Sequence, residues 1–108
     1  MKQVSSQDIK TLLSDPESNV YLLDIRDPHE YHEKHIPGAI NVDLKNIEEV
    51  IKDKDARIIT YDNHEESQGL GCFCDKLKEL GYSNSECLLG GLMGWMEAGG
   101  AVESGDES

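Results

Sequence analysis

The apolar residues of this chain fall into two rhythms. Val20-Tyr21-Leu22-Leu23-Asp24-Ile25 is almost continuously apolar, as expected of a strand buried on both faces. Ile58-Ile59-Thr60-Tyr61 and Glu86-Cys87-Leu88-Leu89 read the same way, and Ala39 to Val42 is a shorter strand after the Pro37-Gly38 turn. Between these runs the spacing becomes helical. Ser5 or Ser6 can cap a helix from Gln7 to Leu13, with Ser5 and Asp8 at capping-box spacing. Asp15 to Asn19 is a turn. Asp27-Pro28 opens a short helix, Pro28 to Lys34, with Pro at its first position. Leu44 to Lys52 is predicted helical. Leu70, Phe73, Leu77 and Leu80 lie on one face of a further helix that Gly81 ends. Gly90-Gly91 then turns into a last helix containing Met93, Trp95 and Met96. Strands alternating with helices predict an α/β domain with a mostly parallel sheet, spanning residues 1–100. Residues 101–108 are small, polar and acidic, and read as a flexible tail.

Length and charge narrow the possibilities. At 108 residues the chain is one domain with a single core, and its 37% hydrophobic and 30% charged residues fit a soluble globular protein. The net charge is −12, and Arg26 and Arg57 are the only arginines. No basic patch can be assembled, so nucleic-acid and anionic-membrane binding are excluded. The first residues lack the apolar stretch of a signal peptide, and no run reaches transmembrane length. Cys72, Cys74 and Cys87 form no spaced framework, which suits a reducing, cytoplasmic setting. Cys72 and Cys74 lie two apart on a predicted helix and point to different faces, so they should not pair.

The segment that most invites chemistry is Asp62-Asn63-His64-Glu65-Glu66-Ser67-Gln68-Gly69. It joins the Ile58–Tyr61 strand to the helix beginning near Leu70. Strand, short loop and helix N-terminus together build an anion or nucleophile cradle. This one carries three carboxylates and no Lys, Arg or Cys.

Three stretches of the chain resemble the rhodanese family. Leu23-Asp24-Ile25-Arg26, Glu30-Tyr31 and His35-Ile36-Pro37-Gly38-Ala39 resemble its first signature. Leu80-Gly81-Tyr82, Leu89-Gly90-Gly91 and Trp95 resemble the closing part of the domain, with matching spacing from about residue 5 to residue 100. The resemblance implies a rhodanese-like α/β fold: a central, mostly parallel five-stranded sheet flanked by helices on both faces. It also implies a chemistry. In the family the loop after the fourth strand usually holds a Cys that takes up sulfane sulfur as a persulfide and passes it to cyanide or a thiol. Converging N–H groups and a helix N-terminus favour the reactive thiolate. In this chain the residue directly after the strand is Asp62, and the interval to Gly81-Tyr82 is about two residues longer than in the commonest form. A variant with a longer loop places the nucleophile near Ser67. Neither alignment puts a thiol in the loop.

Each candidate has a plain structural reading beside its functional one. Asp62, Glu65 and Glu66 can act as a general base or hold a cation, but a solvated acidic loop is the simpler account. These carboxylates oppose thiosulfate or phosphate, and no Arg supplies a bidentate contact. The phosphatase and arsenate-reductase relatives need Cys and Arg together in this loop, which excludes that branch. Ser67 with His64 as base lacks an orienting acid and the Gly-x-Ser-x-Gly elbow. Cys72, near a helix start, is the displaced thiol candidate. Cys74 and Cys87 read as small core residues. His29, His32 and His35 recur every three residues, but with no Cys or zincin pattern they read as surface and structural side chains rather than metal ligands. The resemblance makes His35 structural and places Asp24 and Arg26 beside the loop as its support. Trp95, Met93 and Met96 read as packing under the last helix.

The expectation is therefore a rhodanese-like domain that lacks the usual catalytic Cys. It would serve as a binding or regulatory module for an unidentified protein or small-molecule partner, with no cofactor and no metal. The alternative is a sulfurtransferase or persulfide carrier using Cys72.

Overall fold

A computed structural model describes residues 3–15, 20–43, 45–63, 75–88 and 90–105. The strands are β1 (Gln3–Val4), β2 (Val20–Asp24), β3 (Ile40–Asn41), β4 (Arg57–Tyr61) and β5 (Ser85–Leu88). The helices are α1 (Ser6–Ser14), α2 (Pro28–Glu33), α3 (Ile47–Val50), α4 (described over residues 75–79) and α5 (Gly91–Glu97). All five strands are parallel, in the order β1-β5-β4-β2-β3. β2 and β4 lie at the centre with a five-residue register, from Val20 opposite Arg57 to Asp24 opposite Tyr61.

The two central strands explain why their sequences run almost continuously apolar. Leu22 and Ile59 face one buried cluster with Ile9, Leu88, Leu92 and Trp95, which belong to α1, β5 and α5. The next residue along β2, Leu23, and the one preceding Ile59, Ile58, face the opposite cluster with Ile47, Ile51, Leu77 and Tyr82. Successive side chains of a strand point to opposite faces, so a sheet covered by helices on both sides needs apolar residues at every position.

The helix starts follow the sequence signals. The Ser5 hydroxyl accepts from the Asp8 N–H at 3.1 Å, and the Asp8 carboxylate accepts from the Ser5 N–H at 3.3 Å, completing the capping box. Asp27 caps α2 by accepting from the His29 N–H at 2.8 Å, with Pro28 in the first turn.

Two elements differ from expectation. β1 was not foreseen, because a two-residue strand has no readable period. It supplies the fifth strand by pairing Gln3 with Cys87 and Val4 with Leu88. α3 is shorter than the predicted helix from Leu44 to Lys52. The Asp43 carboxylate accepts from the N–H groups of Lys45 and Asn46, and the Asn46 side chain accepts from the Asp43 N–H. Such local side-chain bonds compete with a helical turn and delay its start. Leu44 itself lies outside the described residues, as does the predicted start of α4 at Leu70. Among the described residues no helix is long and apolar enough to cross a membrane.

Residues 101–105, part of the segment read as a tail, carry bonds back to the domain. The His35 N–H donates to the Glu103 carbonyl and the Glu103 N–H to the His35 carbonyl, both at 2.9 Å. The Gly105 N–H reaches the His32 carbonyl at 2.8 Å, and the Trp95 indole N–H reaches the Ala101 carbonyl at 2.7 Å.

The chain turns toward this segment at Gly100, where a Cβ would fall 2.2 Å from the Trp95 ring. Gly100→Ala is expected to destabilise the protein by about 1–3 kcal/mol through overpacking. Urea unfolding checks this, and an unchanged midpoint would show that the indole moves aside freely.

Candidate functional site

The strand order places a crevice in the sheet before any side chain is considered. From β2 the chain moves outward to β3, whereas from β4 it moves the other way to β5. Connections that leave neighbouring strands in opposite directions open a crevice beyond their carboxyl ends, the usual ligand position in open parallel sheets. Ile25 and Arg26 follow β2 here, and Asp62 and Asn63 follow β4.

A buried ion pair fixes the floor of this crevice. Asp24 is fully buried and Arg26 is 7% exposed. The Arg26 Nη2 donates to Asp24 Oδ2 at 2.8 Å, and its Nε lies 3.1 Å from both carboxylate oxygens. The Arg26 backbone N–H adds a bond to Asp24 Oδ1 at 2.9 Å. The guanidinium also donates to the Glu30 carbonyl, the Lys34 carbonyl and Asn63 Oδ1. Asn63 in turn donates from Nδ2 to Glu30 Oε2 at 3.0 Å, so one side chain bridges Arg26 and α2.

The far side of the loop base is held by α5. Gly90 and Gly91 take φ values of +80° and +61°, a left-handed pair that β-carbon-bearing residues rarely adopt. This turn aims the first amides of α5 at the loop. The Leu92 N–H donates to the Asp62 carbonyl at 3.0 Å and the Met93 N–H to the Asn63 carbonyl at 2.9 Å. The Asp62 carboxylate accepts from the Asn63 N–H at 2.7 Å.

Electrostatically the floor is settled. Burial works against the Arg26 charge, but hydrogen bonding and attraction to Asp24 outweigh it and raise its pKa. Burial, reinforced by the Asp24 charge, lifts the Tyr61 phenol well above its ordinary range. Its oxygen accepts from the Ile36 N–H at 3.1 Å. Arg26 thus stays a cation whose described contacts are internal, and Tyr61 stays a neutral phenol. Two cavities flank Arg26. One of about 220 Å³ is lined by Arg26, Glu30, Asn63, Leu92, Met93 and Met96 among others. The other, about 460 Å³, lies toward β3 beside Ile25, Asp27, Asn41, Val42 and Asp43.

Of the residues singled out from sequence, Asp24, Arg26, Asp62 and Asn63 are brought together here. His64, Glu65, Glu66, Ser67, Gln68, Gly69, Cys72 and Cys74 lie outside the described residues. Cys87 is 1% exposed within β5. His35 is buried, while His29 pairs with Glu33 at 2.8 Å on the surface. Among the described residues no three His, Cys, Asp or Glu side chains converge as a metal site. Sequence reading missed Glu30 as a partner of Asn63 and the α5 amides as anchors. The Gly90-Gly91 pair was the available signal for the second.

The rhodanese-like domain family model matches residues 5–98. The thiosulfate sulfurtransferase PspE of Escherichia coli is 34% identical over 74 residues, which is 65% of this chain and 68% of that protein. A thiosulfate:glutathione sulfurtransferase of Saccharomyces cerevisiae is 28% identical over 113 residues, 93% of this chain and 81% of that protein. Among solved structures, the BH2092 protein of Bacillus halodurans superimposes with a TM-score of 0.84 at 28% identity, covering 97% of this chain and 78% of that one. A rhodanese-like domain from Anabaena gives 0.82 at 26% identity, covering 100% and 83%. The chain belongs to the rhodanese-like domain family.

Two outcomes follow from the floor of the crevice. Asp24→Ala strands the Arg26 charge in the interior and is expected to cost about 3–5 kcal/mol by urea unfolding. Tyr61 gives a pH signature. Its phenol holds the proton more tightly when folded than at the ordinary value of 10.0. Its contribution to stability is therefore complete below pH 10.0 and is lost as pH rises toward the folded value. Stability measured from about pH 8 to about pH 11 should fall more steeply in the parent than in Tyr61→Phe; parallel curves would refute the assignment.

Proposed function

We propose that this rhodanese-like domain is a binding or regulatory module that does not act as a thiosulfate sulfurtransferase. In this reading residues 1–100 work as one domain in a reducing, cytoplasmic setting. The crevice at the carboxyl ends of β2 and β4 receives an unidentified protein segment or a small, non-anionic ligand. The observation that carries the reading is the residue directly after β4. It is Asp62, a carboxylate bonded to the next amide, and the sequence through Gly69 contains no thiol.

The chemistry of the family's usual reaction explains why that residue matters. A thiolate attacks the outer sulfur of thiosulfate, sulfite leaves, and the resulting persulfide transfers its sulfur to an acceptor. Asp62 cannot form a persulfide. The nearest described guanidinium, on Arg26, is committed to Asp24, Asn63 and two backbone carbonyls, which weakens its use as an anion anchor. Cys87 does not offer a substitute, because its thiol is shut inside the sheet.

One observation favours a second reading. The Escherichia coli and Saccharomyces cerevisiae relatives are named as sulfurtransferases acting with thiosulfate. In this reading Cys72 is a displaced nucleophile and the domain carries a persulfide.

The two readings separate in one assay. The purified protein is incubated with thiosulfate and then cyanide, thiocyanate is measured, and persulfide is sought by mass spectrometry. The expected result is no turnover above a protein-free control and no persulfide adduct. Turnover in the parent that Cys72→Ala abolishes would overturn the binding-module reading.

A further inference from the structure

We infer that the cavity between α2 and α5 receives a lysine side chain from a segment of a partner protein, its stem on the methionines of α5 and its ammonium on the Glu30 carboxylate. Such an occupant presupposes that the domain is a binding module and specifies what the crevice accepts. The cavity holds about 220 Å³ and lies beside the base of the loop after β4. Leu92, Met93 and Met96 form its apolar wall. Leu92 is buried in the core and Met96 packs against the same cluster, so the wall has a fixed base. Met93 is 50% exposed, a large apolar side chain left in water at a concave site. A methionine in that place adapts its shape to an unbranched apolar chain. An apolar wall with a few polar groups is the usual form of a ligand site.

The remaining lining groups are polar, and their charges are unequally committed. Asn63 Nδ2 donates to Glu30 Oε2 at 3.0 Å, and among the described residues nothing bonds Glu30 Oε1. The Asn63 bond already holds this carboxylate in place, so binding a cation there orders little more. Arg26 lines the same cavity, but its charge is matched by Asp24 and its described donors are engaged internally. Glu33 meets His29 at 2.8 Å, and both it and Lys34 are exposed. With Asp24 beneath and Asp62 at the loop base, carboxylates outnumber cations around the cavity, in a chain of net charge −12. That field favours a cationic partner.

The single open oxygen decides between the two basic side chains. Arginine matches a carboxylate best through two parallel N–H bonds, and Asn63 already takes Oε2. A lysine ammonium is a point charge that needs only one acceptor. Its long stem is apolar and lies along apolar surface while the charge reaches a polar group. Leu92, Met93 and Met96 supply that surface, and Glu30 supplies the group. An acidic side chain is repelled by Glu30, Glu33 and Asp62. An uncharged aliphatic one covers the Glu30 carboxylate without giving it a partner, which costs free energy.

The probe is the peptide Gly-Lys-Gly, blocked at both ends and titrated into the isotope-labelled full chain while backbone amide signals are followed by NMR. Matched peptides carry norleucine or arginine in place of the lysine. The lysine peptide is expected to shift the Asn63, Leu92 and Met93 amides saturably. Its affinity should exceed that of the norleucine peptide about tenfold, the scale of one charge-assisted bond. Glu30→Gln keeps an oxygen for the Asn63 amide and removes the charge, so it should erase that preference. Met93→Lys, at a half-exposed position, sets a cation in the apolar wall and should abolish binding. Urea unfolding checks that both variants are folded. The absence of saturable shifts, equal affinity for the norleucine peptide, tighter binding of the arginine peptide, or parent affinity in Glu30→Gln would each overturn the assignment. The thiosulfate and cyanide assay reads sulfur chemistry and not lysine affinity, so the two fail separately. No lysine binding together with no turnover removes this occupant and leaves the binding module standing.

Discussion

The ion pair between Asp24 and Arg26 is the constraint around which the crevice is built. A guanidinium at 7% exposure needs acceptors in several directions, and Arg26 finds them on three different pieces of chain. Asp24 takes one edge of the fork, Nε and Nη2, at the end of β2. The carbonyls of Glu30 and Lys34 accept from the same Nη2 on the α2 side, Lys34 being the C-terminal cap residue of α2. A helix leaves its last carbonyls without intrahelical partners, and in a six-residue helix those groups are a large share of the whole. Arg26 therefore serves as the C-terminal cap of α2 while its charge is neutralised from the strand. Lysine could not do both, because its ammonium is a point charge without a planar fork.

That arrangement propagates to the neighbouring chain segments. With α2 anchored at its C-terminal end, Glu30 is placed to receive the Asn63 side chain, and the Ile36 N–H is delivered to the Tyr61 hydroxyl of β4. The Tyr31 hydroxyl donates to the Ala39 carbonyl at 2.8 Å, closing the turn that leads into β3. The base of the loop after β4 is thus gripped from α2 on one side and from α5 on the other. It is ordered by tertiary contacts of the surrounding elements, a more rigid support than a loop can provide from its own residues.

Some of this was legible in the sequence and some was not. The strands read as Val20 to Ile25 and Ile58 to Tyr61 were readable because a doubly covered strand is almost continuously apolar, and few other structures produce such short runs. The caps at Ser5 and Asp27 were readable because a side-chain oxygen two or three residues before a free amide is a local relation. β1 was not readable, since its pairing with Cys87 and Leu88 joins residues far apart in the chain. The same reason hides the Asn63–Glu30 bridge, the aim of the α5 amides and the return of Glu103 to His35. The Asp-x-Arg pattern pointed to Arg26, but its partners on α2 come from backbone carbonyls, which no side-chain pattern encodes. The late start of α3 was hidden differently, because Asp43 and Asn46 are neutral in a periodicity count yet divert the backbone.

The way the loop base is held also separates the fold from the chemistry the family is named for. α5 grips the segment after β4 through the carbonyls of Asp62 and Asn63, and Gly90-Gly91 directs those amides whatever side chain stands at residue 62. A backbone grip does not read the side chain. A thiol and a carboxylate at that position would be carried by the same bonds from the α5 amides, the carboxylate adding its own bond from the Asn63 N–H. Arg26 completes the same logic, because its contacts to Asp24 and α2 stabilise the floor independently of any ligand above it. The scaffold's hold on the crevice is therefore a separate matter from the chemistry done in it.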